Sequence, residues 1–286
     1  MKSIYILIAA IILSVVIYGC EDPVPTNYKE EYVVEALLFV GEPIEDIKVL
    51  RTLPIMQEFN YDSSIVRDAV VRIMGEDRVF ELEIDTSVSG YYFADKSYKI
   101  KANTEYRLEC VLPNGETVTG KTITPAPSEW IKPPPPMIQF PIDTSNFATP
   151  DSLYIEWKKM PGYSFYALRI NNLDSLEYGI YLDNVPDDEL NRRVHGPPRG
   201  DRFFRETATW LLAPTSKTPV IWTIFKWFGP HEVSVMVPDY NFIEWFLQYS
   251  TGSQYNDLLG SIEGGKGVFG SASIIRDSTF LLKNQP

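Results

Sequence analysis

Cysteine and histidine are scarce, and their scarcity removes whole classes of chemistry. The 286 residues hold two cysteines, Cys20 and Cys110, and two histidines, His195 and His231. Two cysteines build no disulfide framework. The histidines stand apart, in no zinc spacing such as H-E-x-x-H. No G-x-S-x-G elbow is present. Basic residues are outnumbered, 26 Lys+Arg against 38 Asp+Glu, for a formal net charge of −12. Nucleic-acid affinity comes from Lys and Arg neutralising phosphates, so no nucleic-acid partner is expected. The acidic balance favours solubility and disfavours lying flat on anionic lipid. No metal, cofactor or catalytic residue is read from the sequence.

Long apolar runs are missing too, with one exception. Ile4 to Gly19 is almost wholly apolar, follows a single basic residue, Lys2, and ends at Cys20. It is short for a membrane span, and polar, Pro-containing sequence follows at once. The pattern resembles a bacterial lipoprotein signal, whose lipobox is an aliphatic residue, a variable one, a small one and then cysteine. Ile17, Gly19 and Cys20 fit; Tyr18 is bulkier than usual. The resemblance implies removal of the signal peptide, residues 1–19, and acyl chains on Cys20, which tie the chain to a lipid bilayer. An uncleaved signal anchor is the alternative. Glu21 and Asp22 come next. Acidic residues at that place resemble the surface-export signal of Gram-negative bacteria with SusC/SusD-type nutrient uptake; a solvated tether is the plain reading. Residues 20–31 form the lipidated tether, and 21–31 reach at most about 35 Å fully extended.

Residues 32–125 read as short strands separated by turns. Tyr32–Val40, Asp46–Thr52, Ala69–Met74, Arg78–Ile84, Gly90–Phe93, Tyr98–Ile100, Tyr106–Leu112 and Glu116–Ile123 are expected as strands. Gly75-Glu-Asp and Pro113-Asn-Gly115 supply hairpin turns, the second with the strong Asn-Gly signal. Tyr106, Leu108, Cys110 and Leu112 alternate onto one face, which makes Cys110 a small core residue. Many short alternating strands with no long helix indicate an antiparallel sandwich.

Residues 126–136 are Pro-rich and end in Pro133-Pro-Pro-Pro136, which favours a stiff extended linker. The second domain, 137–286, has alternating strands at Leu153–Trp157 and Phe165–Ile170, resembling the opening of a fibronectin type III sandwich. Residues 174–215 read as an insertion. Within it, Pro186–Val194 reads as a short helix with acids Asp187, Asp188 and Glu189 at its start and arginines at its end. Val233–Val237 returns to strand. Asn241-Phe-Ile-Glu244 has a capping-box pattern, and Phe242, Trp245, Phe246 and Tyr249 form an aromatic stripe on the helix that follows. The fold class is therefore all-β, with two antiparallel β-sandwich domains, the second carrying a partly helical insertion.

Aromatic residues crowd one region. Trp210, Trp222, Trp227 and Trp245 lie between Phe203 and Tyr249. Val220–Phe228 is apolar on both faces of a strand, so it is either covered on both sides or meets a partner. A core role and a binding interface both stand at this point, since Trp and Tyr dominate binding hot spots.

The C-terminal run Ser261-Ile-Glu-Gly-Gly-Lys-Gly-Val-Phe-Gly270 is the most specific motif. Gly264, Gly265, Gly267 and Gly270 suit a turn or bulge where backbone passes close to backbone, and Phe269 leads into a closing strand, Ser271–Ile275. Gly260–Lys266 also matches most of a phosphate-binding loop. Gly267 stands where that loop needs Ser or Thr, and no strand-then-long-helix context follows, so the match is rejected. With the lipobox, the Tyr98–Thr124 hairpin and the Asp239-Tyr-Asn segment, the run resembles the domain-of-unknown-function family numbered 4249. The resemblance implies an Ig-like first domain and an outer-membrane lipoprotein, often encoded beside a TonB-dependent β-barrel transporter. It implies no established activity and no catalytic residues. The expected role is a non-catalytic accessory or binding subunit facing the cell exterior. A surface glycan- or peptide-binding or adhesion module is the alternative, on an exposed platform of Trp210, Trp222 and Trp227; a surface hydrolase is third.

Overall fold

The computed structural model describes residues 28–54, 57–58, 60–85, 90–141, 153–173, 194, 208–251 and 260–283. The fold is mostly β, in several open sheets. The chain begins with β1 (Tyr32–Phe39), β2 (Lys48–Arg51) and a single helical turn, α1 (Tyr61–Ser64). Next come β3 (Val70–Gly75), β4 (Arg78–Glu81), β5 (Glu83–Asp85), β6 (Gly90–Tyr92), β7 (Glu105–Val111) and β8 (Thr117–Ile123). They are followed by β9 (Trp130–Lys132), β10 (Met137–Gln139), β11 (Tyr154–Trp157), β12 (Tyr166–Asn172), β13 (Ala208–Ala213) and β14 (Lys217–Pro219). The last elements are β15 (Gly229–Pro238), α2 (Tyr240–Thr251), β16 (Ile262–Glu263) and β17 (Lys266–Leu282). Among the described residues no helix is long and apolar enough to cross a membrane.

The strands of the first stretch follow their alternation. Tyr106, Leu108, Cys110 and Leu112 are buried, as their spacing requires. The turn between β3 and β4 is a two-residue one in which Glu76 (φ 55°) and Asp77 (φ 59°) both take positive φ, matching the twist of the flanking strands. Tyr98–Ile100 is not a strand; it meets the loop after β1 through two backbone bonds, Gly41 N–H to the Ile100 carbonyl and Ile100 N–H to the Glu42 carbonyl.

β17 organises the molecule. It runs 17 residues, far past the expected Ser271–Ile275. It lies parallel to β1 (Val33 opposite Lys266 through Phe39 opposite Ala272) and antiparallel to β15 (Pro238 opposite Ala272 through Gly229 opposite Leu281). The seven-stranded sheet around it runs β13-β12-β15-β17-β1-β2, with β10 paired to the far end of β17. One face carries two cores. Val34, Ala36 and Leu38 pack with Phe269 against the five-stranded sheet β16-β8-β7-β3-β4. Val233, Val235, Val237 and Leu281 pack against Ile155 and Trp157 of the three-stranded sheet β14-β11-β9. Between them the face turns polar: Ser271 Oγ lies 2.7 Å from Thr122 Oγ1, and Ser273 Oγ donates to the Ala126 carbonyl at 2.8 Å. The opposite face is covered by α2, whose Phe242 and Phe246 pack with Leu37, Phe39, Met236 and Ile274. The two cores are therefore not the two halves of the chain, because Ile262 and Phe269 complete the first.

The Pro-rich segment is not a free spacer. Trp130–Lys132 pairs with β11 as β9. Trp130 Nε1 donates to the Arg276 carbonyl at 3.3 Å, Thr279 Oγ1 to the Pro135 carbonyl at 2.6 Å and Phe280 N–H to the Pro136 carbonyl at 3.0 Å. Proline removes donors but keeps carbonyls, so an extended proline run still serves as an acceptor edge. The end of the expected insertion, too, belongs to the frame: β13 pairs with β12, Trp210 opposite Arg169. The helix expected at Pro186–Val194, with Asp187, Asp188 and Glu189, falls outside the described residues apart from Val194.

Candidate functional site

The Asp239-Tyr-Asn segment and the glycine-rich run meet at one joint. Asp239 follows β15 and caps α2. Its Oδ1 accepts from the Phe242 amide at 2.8 Å and its Oδ2 from the Thr122 hydroxyl at 2.5 Å. Its own N–H donates to the Ser271 carbonyl at 2.8 Å. Two residues on, Asn241 Nδ2 donates to the carbonyls of Lys121 and Phe269, both at 2.8 Å. One helical turn thus grips β8 and β17 together. Burial pushes the Asp239 carboxyl up, and bonds from Thr122, Phe242 and Ser271 hold it back. The cap therefore sits two residues before the expected Asn241–Glu244 box. Asn241 is occupied with sheet carbonyls, and Glu244 binds the Tyr240 phenol, raising its pKa.

The glycines sit where strands approach too closely for a side chain. Gly270 lies beneath the cap, where a methyl group would stand 3.0 Å from Phe242 N and 3.2 Å from Asp239 Oδ1. Gly264 (φ 81°) would place a methyl group 2.5 Å from the Thr117 carbonyl, and Gly265 one 3.1 Å from a Val118 methyl. Gly267 (φ 117°) lies against Val34, so a methyl group would overlap the Val34 carbonyl oxygen. Phe269, fully buried, fills the first core between them. The run is a strand–turn–strand, β16 into β17, with no helix after it among the described residues.

Beside the joint, outside β7 and β8, a cleft of about 390 Å³ is bordered by Arg107, Glu109, Lys121, Asn241, Ser261 and Glu263. Its bases are engaged with acids. Lys121 and Arg107 both meet Glu105, at 2.6 and 2.8 Å, and Glu109 meets Arg72 at 2.9 Å. The Ser261 hydroxyl accepts from the Phe269 amide at 2.8 Å, an engagement that places it as a strut of the joint. Among the described residues no group of three His, Cys, Asp or Glu side chains is placed to hold a metal ion.

The aromatic segment departs from its expected strand. Trp222–Ile224 is a single 3-10 turn. Val220, Trp222, Phe225 and Phe228 join the second core, and Trp227 is buried as well. A strand would send alternate side chains to opposite faces; the turn brings them to one side. Trp222 packs edge-on against Phe140, centroids 5.8 Å apart. With Trp222 and Trp227 only 3% and 1% exposed, the exposed platform expected of them is corrected to a core. The Trp210 side chain lies outside the described residues. Trp245, half-buried on α2, meets Phe242 edge-on at 5.9 Å; the Tyr249 side chain is not described. Cys20, Glu21 and Asp22 precede the described residues.

His231 is the described histidine with a structural role. It is buried in β15, its Nδ1–H donating to the Gly229 carbonyl at 2.8 Å, its Nε2 facing Asn172 Nδ2 at 3.5 Å and Phe225 edge-on at 5.1 Å. Burial lowers its pKa to about 4. An unfolded histidine titrates near 6.5, so the unfolded chain binds the extra proton between the two values. Stability due to this group is full above pH 6.5 and falls as pH drops toward 4, by a total of about 3 kcal/mol. Urea unfolding at pH 7.5, 6 and 5 is expected to show that decline, and His231→Gln to flatten it; an unchanged decline in the variant would assign it elsewhere.

No curated protein shows a significant match to the chain. The family model described as Domain of unknown function (DUF4249) matches residues 21–274. The glycine-rich run and the Asp239-Tyr-Asn segment that build the joint lie within that span, and the chain belongs to this family.

Proposed function

We propose that the protein is an outer-membrane lipoprotein, held by acyl chains on Cys20 and facing the cell exterior, that serves a TonB-dependent transporter as a non-catalytic accessory or binding subunit. The observation that carries this reading is the family match, which begins at Glu21, one residue past Cys20. The apolar run ending at Cys20 supports the anchor, and the acidic pair Glu21 and Asp22 supports surface export. Each buried CH₂ contributes about 0.8 kcal/mol to membrane attachment, so two or more acyl chains hold firmly where one does not. Both conspicuous motifs are spent on the joint, which favours a scaffold role over catalysis.

The finer architecture is part of the proposal. We read the two cores as an Ig-like sandwich followed by a fibronectin type III-like one, with β17 shared between them. Glycan or peptide capture is less favoured, because Trp222 and Trp227 are used in packing. Affinity purification of the tagged full chain after detergent extraction is expected to recover a large β-barrel. The lipoprotein eluting alone, from cells that express the transporter, would count against the partnership.

A further inference from the structure

The strand directions fix which end of the molecule the tether leaves from. β1 and β17 are parallel and start together, Val33 opposite Lys266. The chain before β1 is pinned at that same end. The Tyr28 hydroxyl donates to the Thr52 carbonyl, the Glu31 amide to Thr52 Oγ1 at 3.0 Å, and Glu31 pairs with Lys266 at 3.0 Å. The β7–β8 turn at Asn114-Gly115 lies there too, since Gly264 stands against Thr117. β17 then runs away from this end for 17 residues, about 50 Å at strand rise. At its far end Leu282 pairs with Gln139, and Leu281 with Gly229 beside the Trp222–Phe228 turn.

From Cys20 to Tyr28 are eight residue steps, a reach of roughly 27 Å when fully extended. That is about half the length of β17. A tether pinned at the start of β1 keeps that end within about 27 Å of the bilayer, and leaves the far end free to stand up to a β17 length further out. Resting on the anchor proposed above, we infer that the molecule stands on end. The Tyr28, Thr52 and Asn114-Gly115 end faces the lipid headgroups, and the second core with its Trp222–Phe228 turn points outward. The acidic balance of the chain works against laying its side on an anionic surface. A protein that meets the outer end must itself project some 50 Å from the membrane, as long extracellular loops or a bound cargo do; one that stays level with the headgroups meets only the first core.

The test uses the full acylated protein in vesicles of phosphatidylethanolamine and phosphatidylglycerol carrying a headgroup acceptor dye. Asn114→Cys and Gln139→Cys, both exposed, are labelled with a donor in separate samples. Cys110 does not compete, being fully buried with its thiol pushed up to about 12 by burial. Donor quenching is expected to be severalfold stronger at Asn114→Cys than at Gln139→Cys. Equal quenching in protein that floats with the vesicles overturns the upright stance in favour of a flat one, and stronger quenching at Gln139→Cys overturns it in favour of the inverse. Protein that fails to float overturns the anchor as well, so the two failures read differently. Near-ultraviolet circular dichroism matching the parent confirms that each variant is folded.

Discussion

Gly267→Ala is expected to lower the free energy of unfolding by at least about 3 kcal/mol. Two costs combine. A backbone at φ 117° is open to glycine and strained for any L side chain, and a methyl group there lands on Val34, with Val34 N only 2.9 Å away. Val34 and Gly267 are partners in the parallel ladder between β1 and β17, so neither can retreat without breaking the pairing that ties the first core to the long strand. Gly162→Ala is the control, since it also has positive φ, 84°, but nothing within 4 Å of the added methyl. It carries the backbone cost alone, about 1 kcal/mol. Chemical unfolding of both variants measures the difference. Equal losses would mean that the close approach at Gly267 contributes nothing.

Asp239→Ala is expected to cost about 3 kcal/mol. It removes the cap of α2, leaves the buried Phe242 amide without its acceptor, and leaves the Thr122 hydroxyl with Ser271 Oγ alone. Losing the cap strips the buried Phe242 amide of its acceptor, about 1–3 kcal/mol, and loss of one of the two partners of the Thr122 hydroxyl adds about 1 more. Asp239→Asn keeps an oxygen for the amide and a donor for the hydroxyl oxygens, so its expected cost is only about 1 kcal/mol. Because burial already raises the Asp239 carboxyl, the loss of charge is not the main cost. The second readout is local. Amide exchange in α2 and in β8 is expected to rise together in Asp239→Ala, since one residue holds both. Faster exchange in α2 alone would reduce Asp239 to an ordinary cap.

The sequence reading reached strands and hairpins because those are written locally. Alternation placed Cys110 in the core, and Gly75-Glu-Asp and Pro113-Asn-Gly marked their turns. Glycine spacing pointed to close backbone contact at Gly264 and Gly267 without naming the neighbours, Thr117 and Val34. What stayed hidden was long-range. Nothing near Lys266 signals a parallel partner more than two hundred residues earlier. Ser271 and Ser273 hide the true length of β17, because buried serines look like a turn until the Thr122 and Ala126 partners are known. Val220–Phe228 misled for a different reason. A run apolar at nearly every position satisfies a doubly covered strand and a folded-in turn equally, and only the shape of the second core selects the turn. The joint is half visible in the sequence: the Asp239-Tyr-Asn segment stands out as a motif, but Glu244 completes a capping pattern that points to Asn241 rather than Asp239.

The proposed anchor holds the folded part to the bilayer through Cys20. Mass spectrometry of the N-terminal peptide from membrane-extracted protein tests it most directly. The account predicts a chain that begins at Cys20, lacks residues 1–19 and carries thioether-linked and amide-linked acyl mass, with Cys20→Ala leaving no acylated form. A bare Cys20 terminus, or an intact segment from Met1 through Cys20 in the mature protein, would contradict it.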